Sequence, residues 1–204
     1  MDWIEVSNII LGSVVGGFIA IAAYAAEKLL IEKRRDTETR NLDFIERQLE
    51  EFYSPMIGCL MKIRAKNELG YKISKLSEEA WKELCARQPK PFLDHEKYYK
   101  PYGKSLEYNN TVLKEEVIPL YDQMIDLFTE KYWLANPSTR EWYAKFSEFI
   151  YVWHRALDKA IPFEVALKIE HSEANVKPFY VDLEDQLNLL QEILAKGKIS
   201  AKSS

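Results

Sequence analysis

Three histidines, two cysteines and several adjacent acids are the side chains in this chain whose types suit proton transfer, nucleophilic attack or metal binding. His95-Glu96 opens like a helix-borne zinc-protease motif. That motif needs a second histidine four positions on, so that both imidazoles share one helix face, and the position holds Tyr99. Gly103-Lys104-Ser105 matches the end of a phosphate-cradling loop, but the loop's first glycine would fall at Tyr98 and no apolar strand precedes it. Cys59 and Cys85 lie far apart, without paired CxxC or disulfide-framework spacing. His154, between Trp153 and Arg155, has an acid–base or ligand reading, set against a packing or surface role on an aromatic helix. His171, near an expected helix end, suits a dipole-complementing or exposed residue. Glu50/Glu51, Glu78/Glu79 and Glu115/Glu116 are sequence neighbours, which point in different directions on a helix, so they read as solvated faces. No Gly-x-Ser-x-Gly elbow is present. The expectation is a protein that is not an enzyme, with no catalytic residue, no metal ligand and no cofactor.

The elements that would position any site begin with residues 6–26. Tyr24 is the one ionisable side chain in that run. About 20 apolar residues at 1.5 Å rise cross a hydrocarbon layer of ~30 Å, so the run is expected to be a transmembrane helix. Residues 28–35 follow with four basic residues, Lys28, Lys33, Arg34 and Arg35, against the single acid Glu32, whereas Asp2 and Glu5 precede the run. Lys and Arg near a span stay on the cytoplasmic side. The expected topology is therefore a short outer N-terminus (residues 1–5), the span, a basic membrane-surface segment (27–36), a cytoplasmic helical bundle (37–197) and a flexible tail (198–204). A cleaved signal peptide is the rival reading, since Ala23-Tyr24-Ala25 resembles a cleavage site. Its n-region, however, would lack any basic residue.

Inside the span, Gly12/Gly16 and Ser13/Gly17 form two overlapping small-xxx-small pairs. Small residues let helix backbones approach closely in lipid, so these four are candidates for packing one span against another in a homo-oligomer. Plain glycine content of a membrane helix is the alternative. A formal net charge of -4 speaks against a nucleic-acid partner. Asn109-Asn110-Thr111 fits a glycosylation acceptor, which matters only on a lumenal side.

After residue 36 the periodicity is helical throughout. Leu42, Ile45, Leu49, Phe52, Met56, Cys59 and Ile63 repeat at 3 and 4, a heptad seam of coiled-coil type expected to pack inside its own bundle, with a kink ahead of Pro55. Gly70 and the residues to Leu76 read as a break, and Ser77-Glu78-Glu79 as the cap of a short helix that stops before Pro89. Residues 88–103, with Pro89, Pro91, Pro101 and Gly103, read as a tyrosine-rich arm lying on the bundle. Leu113, Val117, Leu120, Met124 and Leu127 define the next helix. Ser138 and Glu141 form a capping box for a helix carrying Trp142, Phe146, Phe149, Trp153 and Ala156, which ends or kinks at Pro162. Phe179, Leu183, Leu187, Leu190 and Leu194 define a last helix closed by Gly197. The fold class expected is all-α, a transmembrane helix followed by a bundle of about four main helices. The heavy aromatic load serves the core first and a groove for a partner helix or peptide second.

The stretch Gln48-Leu49-Glu50-Glu51-Phe52-Tyr53-Ser54-Pro55-Met56 resembles the LEEFYxPL-type motif of uncharacterised, mostly bacterial proteins with one N-terminal span and a helical domain. Met56 stands where those chains have leucine. The aromatic helix from Phe146 to His154 and the later Lys177-Pro178-Phe179 are similar to theirs as well. The resemblance implies architecture and no activity. The partners expected are the lipid bilayer, a second copy through the span, and a protein of unknown identity. The alternative is a membrane-perturbing toxin or defence effector that oligomerises through its span.

Overall fold

The computed structural model describes residues 27–87, 99–169 and 172–202, all-helical apart from turns and short connections. The expected span at residues 6–26, with Gly12, Ser13, Gly16 and Gly17, lies outside the described residues, as do His95 and His171. Among the described residues no helix is long and apolar enough to cross a membrane. The chain divides into two units, Met1–Glu46 and Arg47–Ser204.

In the first unit the described residues form one helix, α1 (residues 27–46). Its side chains are largely exposed. Thr37 and Thr39 turn their hydroxyls back onto the carbonyls of Lys33 and Arg35, at 2.9 and 3.0 Å.

The second unit is built from four long helical rods. The first runs through a π-turn, Leu49–Tyr53, into α2 (Ser54–Arg87). The second comprises α3 (Lys100–Val112), a π-turn at Leu113–Val117 and α4 (Ile118–Glu130). A loop holding the one-turn helix α5 (Pro137–Arg140) leads to α6 (Tyr143–Leu157). The short α7 (Phe163–Lys168) and a 3₁₀ turn (Glu173–Asn175) precede α8 (Lys177–Lys202). Both π-turns end two residues before a proline, Pro55 or Pro119. A proline has no N–H and its ring crowds the carbonyl four residues back. The wide turn accommodates this: Ser54 N–H and Ile118 N–H reach back five residues, to Leu49 and Leu113. The helix irregularity expected ahead of Pro55 thus takes the form of a π-turn.

The core follows the seam. Leu49, Phe52, Met56, Cys59 and Ile63 are all buried, joined by Tyr53 and Leu60. They meet Met124 and Phe128 of α4, Phe146 and Ile150 of α6, and Phe179 and Leu183 of α8, all fully buried. Phe128 is the hub: its ring lies 5.4 Å from Phe52, 5.2 Å from Tyr143 and 5.8 Å from Phe179. Such ring pairs add about 0.5–1.5 kcal/mol each beyond area burial.

Several boundaries differ from expectation. Gly70 does not break the chain; α2 passes through it to Arg87, and Asn109 of α3 donates to the Gly70 carbonyl at 3.2 Å and to Ser74 Oγ at 3.0 Å. Ser77-Glu78-Glu79 is consequently mid-helix, where Glu78 pairs with Lys82 one turn on. Asn109 itself is helical and half-buried, with its amide engaged, rather than a loop sequon. The irregular arm ends sooner than Gly103, because Pro101 sits in the first turn of α3, where its missing N–H costs nothing. The buried stripe of this rod is Val117, Ile118, Tyr121, Met124 and Phe128: Tyr121 and Phe128 replace the expected Leu120 and Leu127, one position on, while Leu113, across the π-turn, is not buried. The Ser138/Glu141 capping box is absent. Asn136 takes the N-cap with Pro137 behind it, and α6 opens only at Tyr143. α6 ends at Leu157 rather than Pro162, closed by Lys159 at φ 55° with Lys159 N–H on Ala156 O and Ala160 N–H on Arg155 O. Gly197 lies inside α8, which continues to Lys202. A glycine ends a helix when it takes the left-handed conformation, and no described glycine has positive φ.

Candidate functional site

The most connected polar group in the second unit surrounds the 131–142 loop. Asn136 N–H donates to Tyr53 Oη at 2.9 Å. Thr139 Oγ1 donates to Asp182 Oδ2 at 2.6 Å, so its 3.0 Å contact with Tyr53 Oη has the phenol as donor. Donors and acceptors form one directed chain from amide through phenol and hydroxyl to a carboxylate. Gln48, buried, donates to Leu134 O at 2.7 Å and Asn136 Oδ1 at 3.0 Å, and Asn136 donates onward to Gln186. Arg140 caps the carbonyls of Ala135 and Trp133, while Arg47 lies 4.7 Å over the Trp133 ring. Lys131 reaches Glu51, which also pairs with Arg47. Burial raises the Tyr53 phenol above its ordinary pKa. Tyr53 and Thr139 are fully enclosed, so the network serves as a clamp that fastens the loop between the first and last rods.

A second clamp ties the 3₁₀ turn to the core. Tyr180 donates to Tyr121 at 3.3 Å, and Tyr121 to Glu173 at 3.4 Å. Burial raises both phenols well above the ordinary tyrosine range. Arg64 pairs with Glu184 and faces the Tyr180 ring, and Lys66 pairs with Glu116.

Of the residues singled out for chemistry, His154 is bound through Nε2 to Asp122 Oδ1 at 2.7 Å, joining α6 to α4 at a half-exposed position. Cys59 is buried, and desolvation raises its thiol pKa; Cys85 is half-buried, and both are free. Among the described residues no three His, Cys, Asp or Glu side chains converge as metal ligands. Lys28, Lys33, Arg34 and Arg35 project from α1 into solvent and enter no ion pair among the described residues.

One region presents apolar surface instead of burying it. Past Ile63, no residue of α2 is buried, and neither is any described residue of α3. These two segments form a helical hairpin on which Leu69, Tyr71, Leu76, Leu106 and Tyr108 are each about half or more exposed. At its far end Trp81 meets Tyr99 and Tyr102 edge-on, at 5.4 and 5.5 Å. A cleft of about 640 Å³ opens there, lined by these rings and by Tyr71, Lys75 and Glu78. The heptad seam stops at Ile63, since the positions that would continue it hold Lys66, Asn67 and Gly70. The sequence reads there as a break, where α2 in fact continues without a buried face.

No family model, no curated protein and no solved structure matches the chain.

Proposed function

We propose that this chain is a single-span membrane protein whose helical domain is a binding module at the cytoplasmic face. Residues 6–26 cross the bilayer with the N-terminus outside. The small residues Gly12, Ser13, Gly16 and Gly17 pack one span against a second copy. Lys28, Lys33, Arg34 and Arg35 hold the domain to anionic headgroups, each contributing about 1 kcal/mol. The architecture is that of the single-span chains which the LEEFYxPL-like stretch resembles, and that stretch is structural in this reading: Gln48 and Tyr53 secure the loop.

The observation that carries the binding role is the hairpin of α2 and α3, which has an aromatic cleft and no buried residue past Ile63. Helices this weakly packed gain their order from an amphipathic face laid against something else. The partner is a protein presenting a complementary apolar helix or peptide.

Alkaline-carbonate extraction tests the anchor. The full chain stays in the membrane pellet and a version beginning at Thr37 is released. Release of both would end the membrane reading.

A further inference from the structure

Leu29, Leu30 and Ile31 are 65, 68 and 60% exposed on α1. Successive helical residues point ~100° apart, so these three side chains cover more than half the helix circumference. A neighbouring helix covers a stripe about 100° wide, and would leave at least one of the three in water. The apolar arc is thus wider than one packed helix covers, with charged Lys28 and Glu32 on the remaining side, a pattern that suits a layer apolar at one depth and polar at the next. The charges on either side say which layer. Lys28 lies below the turn and Lys33, Arg34 and Arg35 above it; these four outnumber the acids of the same stretch, Glu27 and Glu32, and enter no ion pair among the described residues.

We propose that Leu29, Leu30 and Ile31 form a collar sunk into the interfacial layer of an anionic bilayer, extending the membrane-embedded stretch beyond residue 26. This rests on the anchored reading above. The dimensions agree: the rise from Glu27 to Ile31 is ~6 Å, and each headgroup layer is ~5–7 Å thick, from the difference between whole bilayer and hydrocarbon core. Lys33, Arg34 and Arg35 then stand at the outer edge of that layer, where long basic side chains reach lipid phosphates. Glu27 and Lys28 lie at its inner edge as neighbours of opposite charge.

The test uses the full chain carrying Cys85→Ser, with buried Cys59 left in place. It is labelled with an environment-sensitive fluorophore at Leu29→Cys, Leu30→Cys, Ile31→Cys or, as reference, Thr37→Cys. The variants are reconstituted into phosphatidylcholine vesicles with or without phosphatidylserine, and quenched by a headgroup-level spin-labelled lipid. The collar predicts several-fold stronger quenching at all three positions than at 37, strengthened by phosphatidylserine. Chain that floats with the vesicles but shows quenching at 29, 30 and 31 equal to that at 37 overturns the collar and leaves the anchor standing. Shielding at only one or two of the three positions, without lipid quenching, marks a protein-packed face and also overturns it. Chain that does not float overturns the anchor and the collar together.

Discussion

Tyr53 Oη and Thr139 Oγ1, 86 residues apart in sequence, meet at 3.0 Å with both residues fully buried. Because Thr139 gives its own proton to Asp182, the direction of the whole chain from the Asn136 amide is fixed. Thr139→Val keeps the shape but removes both roles, leaving the Tyr53 proton and one Asp182 oxygen without a partner. The expected loss is about 1–3 kcal/mol, read as a lower urea midpoint. Tyr53→Phe costs a similar amount. The double variant costs less than the sum, because the two residues share one chain.

Alkaline pH acts on the second clamp. Tyr121 and Tyr180 have folded pKa values raised by burial. For a raised folded pKa, the folded state holds the proton more tightly. The stabilisation is fully present below the unfolded value, near pH 10, and is lost as pH climbs above it. These two phenols contribute up to ~2.7 kcal/mol per pH unit above about pH 10, and Tyr53, whose pKa burial also raises, adds to the same slope. Urea midpoints measured across that range should fall, and Tyr180→Phe should lower the slope by up to ~1.4 kcal/mol per pH unit, one phenol's share.

Gly70 tests the continuity of α2. A Cβ built there meets Asn109 Oδ1 at 3.7 Å, an ordinary contact, and the residue is helical. Gly70→Ala is expected to stabilise the domain by about 0.5–1 kcal/mol, through helix propensity and a less flexible unfolded chain. Destabilisation in thermal or urea unfolding would mean that the helix needs a glycine at this point.

The exposed hairpin surface makes the opposite kind of prediction. Leu69→Glu with Leu76→Glu should leave the unfolding free energy from urea titration within about 0.5 kcal/mol of the parent, since both side chains are more than half exposed. A large drop would show that these leucines belong to the domain's own core and offer no surface to a partner.

The helical class and much of the core were legible because they are local. The seam from Leu49 to Ile63 can be read at spacings of 3 and 4, and all five of its members in the second unit are buried. What escaped depends on distance or on backbone detail. Gln48, Thr139 and Asp182 carry no periodic signal, since their partners lie 43 to 88 residues away. Phe128 and Tyr121 are buried where Leu127 and Leu120 are expected, because Val117 and Met124 are shared by two stripes that spacing alone does not tell apart. Gly70 and Gly197 read as punctuation, yet a glycine held at helical φ only weakens a helix. Asn136 holds the N-cap position without a side-chain cap bond, its amide being engaged by Gln48 and Gln186, and the Ser138 hydroxyl accepts from Gln186 instead of capping a helix.

The central claim is a domain held at the cytoplasmic face by an N-terminal span. The most direct measurement is labelling of the free thiols with an impermeant reagent, on intact cells, on lysed cells and on denatured protein. Cys85 is half-buried and Cys59 buried, so Cys85 reports sidedness and denaturation supplies the total. The account predicts a full-length, membrane-bound chain whose Cys85 reacts only after lysis. A shortened soluble chain, or a Cys85 that reacts in intact cells, would contradict it.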